Sequence, residues 1–376
     1  MQPVDRPLAR TRVPAPRLDH LEPAAAARVR MTLDCADSDA LPKVEGAGDV
    51  FDLDGTTVQR MHNGLLIEEG CYYGPWMTEI IRSLHGHHEP QEEVVFAAVL
   101  DRLVATEAAP TMVEMGAFWS YYTMWFLQGA GDAARAVGIE PDPAYLEIGR
   151  RNLALNGLTA TLLPGAVGDE PGAPVAFRTE STDEVVEVPQ YDLASLMAET
   201  GLERVDLLMV DIQGFETVLL RRAVDQLRAG VVRFLIVSTH HHLISGDALT
   251  HQRALDLLVD AGAHVIAEHT VQESFSGDGL IAVSFDERDH DLRLDVSHAR
   301  SRESLFGELE HDLQRAMDEV RDTHLALQGR LAELARLQEV EQSAQARVRE
   351  LESSTSWRIT APVRRVVSWL RRSEAR

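Results

Sequence analysis

Lysine is all but missing from this chain: Lys43 is the only one among 36 basic residues, the other 35 being arginine. Any chemistry that needs a lysine amine therefore has a single candidate. Cysteine is nearly as scarce, since Cys35 and Cys71 are too few for a disulfide framework and have no partners at zinc-ligand spacing. No apolar run reaches the ~18 residues of a membrane span. The first twenty residues, MQPVDRPLARTRVPAPRLDH, have no apolar centre before a small-residue cleavage site, so the expected location is cytoplasmic. Positive charge is short as well: 60 acidic against 36 basic residues give a net charge of −24, which repels a phosphate backbone and argues against a nucleic-acid partner.

What the chain does have is ordinary globular usage, 45% hydrophobic and 26% charged over 376 residues, enough for one enzyme domain with additions. Residues 1–45 mix Pro, Ala, Arg and Asp and read as largely irregular, with one short helix at LEPAAAARVRM. Residues 46–110 read as a cap over one edge of the main domain, with a turn at 62–64, an aromatic stretch GCYYGPW at 70–76 and a helix at QEEVVFAAVLDRLVA. Residues 111–290 alternate apolar runs with amphipathic segments, the pattern of a parallel sheet wrapped by helices. The runs are TMVEMG, RAVGIEP, ATLLPGAV, VDLLMVD, VRFLIVST, HVIAEHT and LIAVSF. The last two are joined only by VQESFSGDG, too short for a helical crossover, so the seventh strand must return antiparallel to the sixth. The expected fold is a doubly wound α/β, mostly parallel seven-stranded, Rossmann-like sheet with an N-terminal extension and a C-terminal long helix.

Beyond residue 300 the composition shifts to Leu, Ala, Glu, Arg and Gln. Leu309, Leu313, Ala316, Val320, Leu327, Leu334, Val348 and Leu351 recur at spacings of three and four, which predicts a coiled coil over 301–352 and a homo-oligomer built through it. The tail, 353–376, ends in WRITAPVRRVVSWLRRSEAR, whose six arginines and one glutamate interleave with apolar residues. That is the pattern of a peripheral anchor at an anionic membrane surface.

Five strand ends gather polar residues. The first turns through Glu114, Gly116, Ala117 and Ser120, where a glycine admits close backbone approach. The second ends in Glu140, a carboxylate placed to accept hydrogen bonds from two ribose hydroxyls. The fourth ends in Asp211, followed by Gln213, Gly214 and Glu216. The fifth and sixth end in His240, His241, His242 and in Glu268, His269.

Val113-Glu-Met-Gly-Ala, then Gly138-Ile-Glu-Pro with Asn152 and Asn156-Gly-Leu, then Val205-Asp-Leu-Leu-Met-Val-Asp-Ile-Gln-Gly-Phe-Glu, resemble the FkbM-type methyltransferase family over residues 111–235. The resemblance implies S-adenosylmethionine as cofactor and O-methylation of a glycan, macrolide or other natural-product hydroxyl. It places Glu114, Gly116, Ala117, Ser120, Glu140, the Ala166–Val167 backbone and Asp211 around the cofactor. Ser120 stands where the family has a second glycine, and Gln213 where it has a glutamate. A hydroxyl acceptor needs a general base. Asp211, His241 and His269 are the expected catalytic group, since strand alternation keeps adjacent histidines from all facing the acceptor. Asp211, Glu268, Asp278 and the histidines are hard enough to orient a divalent ion, but no compact ligand motif assigns a metal.

Two other readings compete. FDLDGTT at 51–57 resembles the nucleophile motif of haloacid-dehalogenase-like phosphatases, with Asp52 and Asp54 in the two carboxylate roles, yet the only lysine precedes it, and Asp-Gly as a turn is the simpler account. Alternatively the α/β domain is a non-catalytic scaffold and the coiled coil the working part. Residues 353–362 resemble a segment found after coiled coils in surface-polysaccharide enzymes, which implies glycan assembly at the inner face of a membrane.

Overall fold

The computed structural model describes residues 16–299 and 308–373, and the chain divides near residue 302 into two compact units. The expected helix near the start is α1 (Pro23–Leu33), which opens on a proline and buries Ala26, Val29 and Thr32. An antiparallel three-stranded sheet follows: β1 (Val50–Leu53), β2 (Thr56–Arg60) and β3 (Leu66–Glu68). Asp54 and Gly55, both at positive φ, make the tight turn between β1 and β2, and Asp52 pairs across the hairpin with Thr57. The FDLDGTT motif is thus a hairpin whose Asp52 Oδ1 accepts from the Gly55 N–H at 3.2 Å. No parallel strand delivers either aspartate to a phosphate-binding edge, which corrects the phosphatase alternative.

Two helices, α2 (Pro75–Ser83) and α3 (Pro90–Thr106), lead into the main sheet. Its parts run β4 (Thr111–Met115), α4 (Tyr121–Ala130), β5 (Arg135–Glu140), α5 (Pro143–Leu155) and β6 (Thr161–Pro164). A small sheet comes next, made of β7 (Ala166–Val167), β8 (Pro174–Arg178) and β9 (Val185–Tyr191). The main sheet resumes with α6 (Leu193–Thr200), β10 (Val205–Val210), α7 (Glu216–Arg228), β11 (Val232–Thr239), the short α8 (His242–Ser245), α9 (Thr250–Asp260), β12 (His264–His269) and β13 (Gly279–Ser284).

The strand order is β12-β13-β11-β10-β4-β5-β6, with β13 alone reversed. All seven expected strands are present, and the antiparallel return is as expected. Its position between β12 and β11 was not foreseen. The chain winds outward from β4 through β5 to β6 and then restarts at β10 on the other side of β4, so the switch point lies between β4 and β10.

Strand alternation sends Met112, Leu207 and Met209 to one face and Val113, Leu208 and Val210 to the other. The first face is covered by α3 and α4 through Phe96, Val99, Leu103, Trp125 and Phe126. Residues 46–110 therefore build a layer over a face of the sheet rather than trimming an edge. Arg233 near the start of β11 is 2% exposed and pairs with Asp289 through two hydrogen bonds of 2.9 and 2.8 Å.

The second unit comprises α10 (Glu308–Ser353), α11 (Thr355–Ile359) and α12 (Ala361–Ser373). Ser354 caps α11 through the Trp357 N–H. Leu313, Val320, Leu327 and Leu334, spaced by seven, are all more than half exposed. The expected stretch 301–307 and the side chain of Leu309 lie outside the described residues. Among the described residues no helix is long and apolar enough to cross a membrane.

Candidate active site

The crevice lies outside the carboxyl ends of β4, β10, β5 and β11. Gly116 ends β4 at φ 86°, and a Cβ there would sit 1.7 Å from the carbonyl oxygen of Asp211. The glycine is demanded by backbone meeting backbone at the switch point. The Gly116 and Ala117 N–H groups both donate to the Ile139 carbonyl, at 3.0 and 2.9 Å, and the Asp211 N–H donates to that of Met115 at 2.9 Å. The ends of β5, β4 and β10 are thereby tied together.

Ser120 takes φ 60°, the conformation that a glycine would adopt without strain, and its buried Oγ has no hydrogen-bond partner. Glu114 is 5% exposed and accepts from the Thr123 N–H at 3.2 Å and the Thr123 hydroxyl at 2.5 Å. Burial pushes its pKa up to about 8. Both residues shape the turn from within, as does Ala117, which is 1% exposed against Gly138.

Glu140 ends β5 with Oε2 accepting from the Phe118 N–H at 3.0 Å and Oε1 from the Asp142 N–H at 2.9 Å. Each oxygen keeps an acceptor site free, so the group can take both hydroxyls of a ribose. Burial raises its pKa to about 7 against the help of those two N–H groups. Asp142 caps α5 and also holds Ser181 through Oδ1 at 2.7 Å, fixing the loop beyond β8 beside the same strand end. The Phe118 and Tyr145 rings stack at 3.7 Å over this position. Ala166 and Val167 do not continue β6. They pair with Gln190 and Tyr191 in the small sheet, just past Gly165, whose N–H donates to the Glu140 carbonyl.

At the other end of the crevice the histidines sort themselves differently from expectation. His240, 3% exposed, points its Nδ1 at Glu216 Oε1 (2.6 Å) and its Nε2 at Asp211 Oδ1 (3.1 Å), with Asp278 Oδ1 at 3.8 Å. Burial would lower its pKa, but the contacts with Asp211 and Glu216 and the charge of Asp278 hold it well above the usual histidine range. His241 instead caps α8 through the Leu243 N–H. His269 is 2% exposed, bonds the Thr270 carbonyl and is held below the usual histidine range by burial. Glu268 pairs with His251 at 2.8 Å. Neither His241 nor His269 sits in the crevice as a free base, and His240 is the histidine that the carboxylates surround.

The cap contributes two carboxylates that the sequence did not announce. Glu89 and Glu92 open α3 beside the crevice; burial, reinforced by Asp211 among neighbouring carboxylates, raises both above the usual carboxylate range. Glu92 accepts from the Ser238 hydroxyl at 2.6 Å. Tyr72 stacks on Trp119 at 4.5 Å, and Tyr73 meets Phe118 edge-on at 5.7 Å, so the aromatic stretch of the cap lies against the turn after β4. In sequence, EPQEEV is indistinguishable from the acidic first turn of any helix.

Residues 104–265 match the Methyltransferase FkbM domain family. No curated protein matches the chain. Among solved structures it is similar to WbdD, with 15% identity and a TM-score of 0.33 over 51% of this chain, and it spans 40% of the WbdD chain. It is similar also to the METTL16 methyltransferase domain, with 13% identity and a TM-score of 0.34 over 53% of this chain and 69% of that one. A putative O-methyltransferase from Klebsiella pneumoniae is 20% identical, with a TM-score of 0.33 over 50% of this chain and 77% of that one. The match of the sequence to the family, together with the strand order and the switch point between β4 and β10, identifies residues 104–265 as a methyltransferase domain of the FkbM family.

Proposed function

We propose that the chain transfers a methyl group from S-adenosylmethionine to a hydroxyl of a glycan or of a glycosylated natural product. The observation that carries this reading is the pair of groups at the two ends of one crevice, a ribose-competent Glu140 and a partly exposed Asp211 backed by His240. The residues fit the donor. Glu140 takes the ribose hydroxyls, the backbone at Ala166 and Val167 flanks the adenine, and the turn 116–120 runs beside the methionine arm. The aromatic faces of Tyr73 and Phe118 and the acidic lining suit a cationic ligand. When bound, the donor supplies an electrophilic methyl carbon on a sulfonium.

The chain's own part is to hold and deprotonate the acceptor. Oδ1 of Asp211 faces His240, which leaves Oδ2 to accept the proton of a hydroxyl placed about 3 Å from the methyl carbon. His240, fixed by Glu216, positions Asp211. Tritium transfer from labelled S-adenosylmethionine to hydroxyl-bearing glycans tests this. An alkali-stable methyl ether is expected, and an alkali-labile ester would overturn the hydroxyl assignment. Asp211→Asn is expected to lower kcat by about 10²–10⁴-fold with little change in cofactor Kd.

The second unit favours a supporting role at a membrane over a purely scaffolding protein. On α12, Val363, Val366 and Trp369 are exposed in the same helix as Arg364 and Arg365. This tail binds an anionic surface, which brings the domain to membrane-carried acceptors. Co-sedimentation with phosphatidylserine vesicles is expected to disappear when Arg364, Arg365, Arg371 and Arg372 become glutamates; the last two side chains lie outside the described ones.

A further inference from the structure

We propose that Glu180, carried over the crevice on the turn between β8 and β9, is a further donor-binding residue that faces the sulfonium of S-adenosylmethionine. In this role Glu180 presupposes the methyltransferase reading. The turn is fastened to the ribose end of the crevice. Ser181 donates to Asp142 twice, from its N–H to Oδ2 at 3.0 Å and from its hydroxyl to Oδ1 at 2.7 Å. Asp142 is 1% exposed and also caps α5 through the Ala144 N–H at 2.9 Å, so it is a fixed anchor. Its own N–H donates to Glu140 Oε1 at 2.9 Å. One residue thus joins the turn to the carboxylate placed to take the ribose.

The hairpin does not need this latch in order to close. Thr179 at its base is 3% exposed; its N–H donates to the Glu184 carbonyl at 2.8 Å, and its hydroxyl accepts from the Glu184 N–H at 3.1 Å. Asp183 takes φ 59° and turns the chain back into β9. The bonds from Ser181 to Asp142, 39 residues away in sequence, are therefore additional, and what they do is hold the tip over the crevice.

Glu180 stands one residue before the latch, exposed at the mouth. Loss of water on its crevice side, then the charges of Asp211 and Asp142, raise its pKa, and His240 opposes them. It therefore lies within electrostatic reach of both ends of the crevice. Its charge also adds to burial in raising the pKa of Tyr73 and that of Tyr145, the latter to about 12. Both rings pack on Phe118, Tyr145 stacked at 3.7 Å and Tyr73 edge-on at 5.7 Å. A carboxylate across from aromatic faces is a place for a cation. A donor held by Glu140 at one end and reaching Asp211 at the other carries its sulfonium along that span. The demethylated product has no charge on its sulfur, so Glu180 favours the donor over the product.

The test is calorimetric titration of the full chain with S-adenosylmethionine and with its demethylated product, wild type beside Glu180→Gln. The substitution is at an exposed site and leaves the fold intact. The variant is expected to raise the Kd for S-adenosylmethionine about 3–10-fold and that for the product less than about 2-fold. The contrast is expected to shrink at about 1 M salt, where charges are screened within about 3 Å, which a packing defect would not reproduce. Ser181→Ala, which frees the tip, is expected to show part of the same contrast. Equal weakening of both ligands in Glu180→Gln, or no change in either, overturns the assignment, and an unchanged ratio in Ser181→Ala overturns the latch. Binding of neither ligand by the folded wild type overturns the methyltransferase reading itself, so the two failures are separate results.

Discussion

Glu140 and Glu114 end adjacent strands and are both buried, yet their raised pKa values have different consequences. Glu140 must be ionised to accept from two ribose hydroxyls, and its pKa of about 7 places that ionisation near neutrality. Cofactor affinity is expected to rise with pH through about 7, and the Glu140→Gln variant to show a low, flat profile by calorimetry. Glu114 touches only Thr123, so its ionisation concerns folding. A carboxyl with a folded pKa of about 8 against 4.5 for the free group stabilises the fold below about pH 4.5, and that contribution is lost as pH rises toward 8. Glu114→Gln is therefore expected to remove part of the decline in thermal stability between pH 5 and pH 8, with the larger gain in Tm at pH 8. Gly116→Ala joins a positive φ to a carbonyl 1.7 Å away. A loss of at least about 2 kcal/mol is expected by denaturant unfolding. Glu140 and Asp211 stand out in the sequence because each closes an apolar run. The sequence singles out His241, whereas the structure sets His240 among the carboxylates, because the outcome depends on where β11 stops pairing and α8 begins.

At the scale of elements, strands buried on both faces were legible and strands on the periphery were not. β10, β11 and β13 are buried at every position, so they show as continuous apolar runs. In contrast, β8 has only intermediate and exposed positions, and β1 likewise, so the two small sheets carry no strong pattern. Ala166 and Val167 were assigned to the third strand because the run ATLLPGAV continues through Pro164-Gly165. A Cβ at Gly165 would meet the Tyr191 ring at 2.4 Å, so only glycine lets the small sheet close against the chain where it leaves β6. The Arg233–Asp289 pair joins β11 to the segment after β13, and Glu107 at the end of α3 takes the same guanidinium at 2.8 Å. Asp289→Asn leaves the buried guanidinium with Glu107 as its charged partner, and a loss of about 1–3 kcal/mol is expected by urea unfolding.

At the scale of the molecule, a net charge of −24 and an arginine-bearing terminal helix coexist in one chain. The acidic lining belongs to the first unit, where it suits a cationic donor. The second unit has its apolar stripe at Leu313, Val320, Leu327 and Leu334 uncovered in a single chain. In coiled coils such a heptad stripe packs against a second helix, and a second copy of this chain is the partner put to the test. Light scattering is expected to give a multiple of 41.7 kDa for the full chain, and the single-chain mass for a Leu327→Glu, Leu334→Glu variant. A single-chain mass for the wild type would leave the stripe to another partner.

The proposed methyl transfer requires one crevice to bind S-adenosylmethionine through Glu140. Calorimetric titration of the full chain with S-adenosylmethionine and with its demethylated product, beside a folded Glu140→Ala variant, measures that directly. Micromolar binding of both ligands that is lost in the variant is the predicted result. Absence of binding by the folded wild-type chain, or equal binding by the variant, would contradict it.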